Sequence, residues 1–203
     1  MAAMTRQLVI TGFQPFPGVA ENPTEVLVRS LDSCGDPVLQ RAEAVIVPTR
    51  YGDAPAALRS VLASPPRVLI MTGFSARAAG LVLESRASNA CTAALPDARG
   101  AMPPESADPL HHLPARCDID DLCAAVESAG LACAPSDDAG GYVCNHLYYH
   151  ALAALDESGA DTRALFVHIP ALAGSALAAT SAAALELADL QRGLGVLAGE
   201  LLR

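Results

Sequence analysis

Apolar residues in this chain fall into short blocks that alternate between two periods. Continuous apolar runs predict strands covered on both faces: residues 7–12, 44–47, 67–73 (with Val68-Leu69-Ile70-Met71) and 163–169. Between them, apolar residues recur at spacings of three and four. Asn22-Pro23-Thr24-Glu25 predicts a helix start, with Asn22 as cap, Pro23 at the first helical position and Glu25 as a capping-box acid. Val26, Leu27 and Leu31 give that helix its apolar face, and Gly35 ends it. Further helices are predicted at 54–62, from Asp118 to Gly130 through Ile119, Leu122, Val126 and Ala129, and from Gly140-Gly141 through Leu147, Tyr148, Ala151, Leu152 and Leu155. The last carries Leu187, Leu190, Leu194, Leu197 and Leu201. Leu81-Val82-Leu83 reads as a strand running into Glu84, and 131–134 as a short strand.

This alternation predicts an α/β fold, a three-layer α/β/α sandwich with a mostly parallel twisted sheet. No internal repeat or linker divides residues 1–203, so one domain is expected. The proline-rich stretch 91–114 fits neither period and predicts a long loop or short strands; a loop of that length in a compact domain is often functional. Residues 164–185 carry no Asp, Glu, Lys or Arg, but His168, Pro170, Gly174 and much Ala and Ser argue for a buried strand followed by an Ala-rich helix, not a membrane span.

Composition narrows the function. At 203 residues the chain buries about 70% of its unfolded surface and needs no disulfide or metal to hold a core. Net charge is −9, and all 13 basic residues are Arg. Such a chain repels phosphate backbones, so nucleic-acid and anionic-membrane partners are excluded. The six cysteines form no C-x-x-C pair, and the apolar run at 8–11 is too short for a secretory h-region. Reduced thiols in a cytoplasmic setting are expected.

Three residues stand out chemically. Cys144 follows Gly140-Gly141 and falls in the first turn of a predicted helix, where the dipole and free N–H groups favour a thiolate; equally, cysteine packs as a small core residue. His168 ends a buried strand, where open α/β sheets place their sites, or is a hydrogen-bonded core histidine. Glu84 ends an apolar run and needs a partner there, unless the strand has reached solvent. A thiol, an imidazole and a carboxylate together supply nucleophile, base and orienter for acyl transfer. His111, His112 and Cys117 match no regular zinc spacing, so no metal site is assigned. Thr11-Gly12-Phe13 lacks the glycine pattern of a nucleotide loop.

At these residues the chain resembles the pyroglutamyl peptidase I, or pyrrolidone-carboxylate peptidase, family. Thr11-Gly12-Phe13-Gln14-Pro15-Phe16-Pro17-Gly18 with Asn22-Pro23-Thr24 is similar to the family's T-G-F-x-P-F-G-G…N-P-[ST] opening. Ser136-Asp137-Asp138-Ala139-Gly140-Gly141-Tyr142-Val143-Cys144-Asn145 resembles S-N-T-A-G-T-Y-V-C-N, and Phe166-Val167-His168-Ile169-Pro170 resembles F-I-H-[VI]-P. Leu83-Glu84-Ser85-Arg86-Ala87-Ser88-Asn89 is similar to a segment in which Asn follows Glu by five residues.

The resemblance implies a cytoplasmic, homo-oligomeric (dimeric or tetrameric) cysteine exopeptidase acting on peptides with an N-terminal pyroglutamate, without metal or organic cofactor. Cys144 would be the nucleophile, His168 the proton shuttle and Glu84 its orienter. Phe13 and Phe16 would hold the lactam ring, with Leu95, Tyr142 and Val143 as further pocket residues. A weakly active or non-enzymatic relative that binds a lactam or peptide, and a thiol hydrolase for another acyl group, are the competing readings. Several positions depart from the family pattern: Ala94 replaces an Arg, Asp137 and Asp138 replace Asn and Thr, Phe74 replaces Gln, and Ala78 replaces an Arg beside Arg77. The Tyr and Gln usual after Pro170 are missing. The lost Arg and the new Asp pair predict slow turnover, unless Arg77, Arg86 or Arg99 supplies the missing charge.

Overall fold

The computed structural model describes residues 6–93, 95–106 and 108–203. Its elements, in chain order, are β1 (Leu8–Phe13), α1 (Pro23–Arg29), β2 (Glu43–Val47), α2 (Asp53–Leu62), β3 (Val68–Phe74), β4 (Leu81–Glu84), β5 (Arg86–Ser88), β6 (His112–Pro114), α3 (Ile119–Ser128), β7 (Cys133–Ser136), α4 (Val143–Ser158), β8 (Arg163–Ile169), β9 (Ala171–Leu172), β10 (Ala184–Leu185) and α5 (Leu187–Leu201). Six strands form the central sheet in the order β2-β1-β3-β8-β4-β7. Its pairings are parallel except β4 with β8, which is antiparallel. The connection 75–80 is too short for a crossover helix, so β4 enters the sheet in the opposite direction.

Strand alternation sorts the side chains into two apolar layers. Ile10, Ile70, Leu81, Leu83, Leu165 and Val167 face α1, α3 and α5. Val9, Leu69, Met71, Ala164 and Phe166 face α2 and α4. The same period of two has a consequence for chemistry. Gly73, Val82, Glu84, Phe166 and His168 share the second face, beneath α4. Val82 pairs directly with His168, and Glu84 with Phe166, so Glu84 is the diagonal neighbour of His168 on one face.

Most expected elements are present, with three differences. Asn22 does cap α1, accepting the Thr24 N–H at 3.0 Å, but the helix ends at Arg29 and Glu25 pairs with Arg29 instead of closing a capping box. The strand expected at 131–134 lies two residues later, because Gly130 (φ +80°) and Leu131 are spent turning the chain out of α3. The Ala-rich helix expected after β8 is absent. That segment makes a 3₁₀ turn, Ala176–Thr180, between β9 and β10, which pair as a short parallel ribbon.

Helix α5 docks on its own sheet, burying Leu190, Leu194, Leu197 and Leu201. Two of its glycines permit the close approach: a Cβ on Gly193 would lie 2.9 Å from Leu81 Cδ2, and one on Gly195 would lie 2.3 Å from Asp36 Oδ2. Leu197→Ala should therefore cost about 2–5 kcal/mol, read as a lowered midpoint in urea unfolding. An unchanged midpoint would show that α5 is not part of the core.

Candidate active site

The loop from β7 to α4 sets the position of Cys144. Gly140 adopts φ +79°, and a Cβ on Gly141 would lie 2.2 Å from Thr92 Oγ1, so both glycines are required by the backbone. Tyr142 is the N-cap of α4, and its side chain makes no capping bond. The first-turn amides, those of Val143, Cys144 and Asn145, therefore have no carbonyl partner within the helix and form a positive end beside the half-buried Cys144. Asn145 ties this turn to the segment after β5. Its Oδ1 accepts the Ser88 N–H at 2.9 Å, and its Nδ2 donates to the Ser88 and Ala90 carbonyls, each at 2.9 Å.

Cys144, His168 and Glu84 meet in one open cleft of about 580 Å³ between β3, β4, β8 and the start of α4. His168 Nδ1 donates to Glu84 Oε1 at 2.7 Å, and Cys144 lines the same cleft, close enough to the ring to raise its pKa. Glu84 is 1% exposed, and its Oε2 has no hydrogen-bond partner among the described residues, so its charge is committed to the imidazole. Below the sulfur lies Gly73: a Cβ there would sit 2.9 Å from Cys144 Sγ and 2.8 Å from the Phe166 ring. Only a glycine at this point of β3 leaves room for the thiol. Burial opposes charge on His168, but its bonds with Cys144 and Glu84 and their negative charge prevail and hold its pKa at about 9.

A second Cys–His contact shows what this setting contributes. Cys91 Sγ lies 3.4 Å from His146 Nδ1. There burial pushes the thiol up and the imidazole down to about 4, with His150 adding repulsion, so both partners stay neutral. Among the described residues no carboxylate is hydrogen-bonded to that ring, whereas Glu84 answers His168.

The two aspartates are less costly than the sequence suggests. Arg86 donates from Nη2 to Asp137 Oδ2 at 2.9 Å and from Nε to its carbonyl at 2.7 Å. Asp138 Oδ1 accepts the Gly140 N–H at 3.0 Å and so braces the turn that opens α4. Arg77 lines the cleft itself, whereas Arg99 stands 3.9 Å from Asp53. Ala94, the position of the missing arginine, lies outside the described residues.

Of the five expected pocket residues, Tyr142 lines the cleft. Phe16 packs against it, with ring centroids 6.2 Å apart. Leu95 is 58% exposed on the strap that follows Cys91. The side chains of Phe13 and Val143 are in the core under α4, not in the cleft. Phe13 is held there because its N–H donates to Thr24 Oγ1 and Thr24 is fixed by Asn22. The strap depends on residues that sequence reasoning missed. Tyr51 Oη donates to the Leu95 carbonyl and Tyr142 Oη to that of Pro96, each at 3.2 Å. Buried Asp97 accepts the N–H groups of Tyr51, Arg99 and Ala101. A glycine within the apolar strand 68–74 was the available signal for Gly73; Tyr51 and Asp97 carried none.

A family model described as pyroglutamyl peptidase matches residues 6–197. This chain belongs to the pyroglutamyl peptidase family. A pyrrolidone-carboxylate peptidase of Streptococcus pyogenes serotype M4 is 32% identical over 194 residues, covering 93% of this chain and 88% of the relative. The crystal structure of pyroglutamyl peptidase I from Bacillus amyloliquefaciens superposes with a TM-score of 0.85 at 26% identity, covering 98% of this chain and 96% of that one. The pyrrolidone carboxyl peptidase of Thermococcus litoralis has the same fold, with a TM-score of 0.82 at 22% identity over 97% of this chain and 93% of its own. The pyroglutamyl peptidase family is a family of cysteine peptidases, and in this member a cysteine, a histidine and a glutamate converge in the cleft. No helix among the described residues is long and apolar enough to cross a membrane.

Proposed function

We propose that this protein is a cysteine exopeptidase that hydrolyses the bond after an N-terminal pyroglutamyl residue. The observation that supports this most is the single cleft holding Cys144 and His168, with Glu84 2.7 Å behind the ring. His168 takes the thiol proton, and the sulfur attacks the pyroglutamyl carbonyl carbon. The free amides at the start of α4 face the oxygen that becomes negative, in the manner of an oxyanion hole. The imidazolium then gives its proton to the departing amine, leaving a thioester on Cys144. Water, deprotonated by His168, hydrolyses the thioester and frees pyroglutamate. Glu84 fixes the ring tautomer and stabilises the imidazolium throughout.

Tyr142 lines the cleft, and its packing with Phe16 and its bond to the strap support a role for this side in gripping a flat lactam, whose N–H and C=O nearby backbone groups can pair with. The partners are peptides with a blocked pyroglutamyl end. The resemblance extends the reading to a cytoplasmic homo-oligomer. Release of a reporter amine from a pyroglutamyl amide, against prolyl and alanyl amides, tests the activity. Preference for the pyroglutamyl amide supports it. Tight binding of a pyroglutamate analogue without turnover favours the competing reading of a non-enzymatic binder.

Arg86 pairs with Asp137 beside the cleft, which supports the reading that Arg86 offsets that aspartate's charge. Arg86→Gln should lower kcat/KM several-fold and Asp137→Asn should leave it nearly unchanged, because the pair is partly exposed and screened. Combining the two changes should recover much of the loss. Steady-state rates on the pyroglutamyl amide at low and high salt check this.

A further inference from the structure

The Sγ atoms of Cys123 and Cys133 stand 3.3 Å apart. Cys123 projects from the inner face of α3 and is 7% exposed, while Cys133 is half-buried at the first position of β7. The ten-residue separation spans the end of α3 and the turn at Gly130, so the two thiols join elements that already pack together. Strand β7 needs such a tie. It is the edge of the six-stranded sheet, paired only with β4 over Leu81↔Cys133 to Glu84↔Ser136. It also contains Pro135, which cannot donate to a ladder. Its last residue registers against Glu84 and leads directly into the turn that opens α4.

We propose that Cys123 and Cys133 are an oxidisable dithiol whose disulfide staples the edge strand β7 to α3. Hydrogen peroxide is the oxidant. The thiolate of Cys133, the more accessible partner, attacks the peroxide oxygen; the O–O bond breaks and leaves a sulfenic acid and one water. Cys123 then attacks that sulfur, the S–O bond breaks, and a second water leaves. Two thiols and one hydrogen peroxide thus become one disulfide and two waters, with two electrons passed to the peroxide. Closure requires the sulfurs to move from 3.3 Å to about 2.05 Å, within reach of side-chain rotation. Burial raises both thiols, so the first step is slow at neutral pH, while the second is aided by a neighbour already in place. The crosslink lies at the opposite end of β7 from Ser136, so it secures the register at Glu84 without entering the cleft.

The test uses the full chain carrying Cys144→Ala, which removes the catalytic thiol as a competing target. After incubation with hydrogen peroxide, remaining thiols are alkylated under denaturing conditions and the chain is cut after Glu127, which separates the two cysteines. The expected result is a disulfide-linked pair of peptides containing Cys123 and Cys133. Tm should rise by about 5–10 °C and return to its starting value with dithiothreitol. Cys123→Ser should abolish both the link and the rise; if that buried substitution fails to fold, half-buried Cys133→Ser serves instead. Recovery of both cysteines alkylated overturns the proposal, as does a link that forms without a rise in Tm.

Discussion

Cys144→Ala is expected to abolish release of the reporter amine, a loss of about 10⁴-fold or more, while leaving the fold intact. The half-buried thiol shares the cleft with His168 and raises its pKa, and Gly73 leaves the space that the sulfur occupies. Cys144→Ser should be nearly as inactive, because a hydroxyl is a far poorer nucleophile at neutral pH. Limiting iodoacetamide should label Cys144 before the other thiols, with protection by a pyroglutamate analogue. Burial raises Cys91, Cys123 and Cys133, and holds Cys117 up at about 12, so these stay mostly protonated and react more slowly. Full activity in the alanine variant would remove Cys144 from the mechanism.

The candidate catalytic residues are legible in the sequence because each sits at or near an element end whose position follows from local patterning. Cys144 follows a glycine pair, Glu84 ends an apolar run and His168 stands near the end of a buried strand. Period-two alternation alone places Glu84 and His168 on one face once their strands pair. That β4 runs antiparallel to β8 is a property of the connection 75–80, which carries no such pattern. The pocket is less legible. The motif resemblance assigns Phe13 to the ligand, whereas alternation along β1 directs its side chain with Val9 into the layer beneath α4. The strap eluded sequence reasoning because its order comes from long-range bonds, such as Tyr51 to Leu95 and Asp97 to the Tyr51 amide, between residues far apart in the chain. Asp137 looked costly for the same reason: its partner Arg86 lies 51 residues away.

Glu84→Gln should lower kcat by about 10³–10⁴-fold, in line with replacing the orienting carboxylate of a Ser–His–Asp arrangement by its amide. The amide can present an N–H to Nδ1 and turn the ring to the wrong tautomer, and it removes the buried charge that favours the imidazolium. The pH profile separates this from simple misfolding. In the wild-type chain the imidazolium persists up to about 9, so the basic limb of kcat/KM should fall there, where the proton for the leaving amine is lost. Without the Glu84 charge, burial still lowers the histidine and Cys144 alone is left to raise it, so the basic limb should move down from about 9. Stability follows the same sign. The folded-state value lies above the unfolded one, so the contribution of His168 is complete below about 6.5 and is lost as pH rises through about 9. Its size is on the order of 2–3 kcal/mol, since the ring is largely enclosed. Urea midpoints measured from pH 6 to 10 should thus decline in wild type and be much flatter in Glu84→Gln. A basic limb that stays near 9 in the variant would show that Cys144 alone holds the imidazolium, and that Glu84 positions the ring without setting its charge.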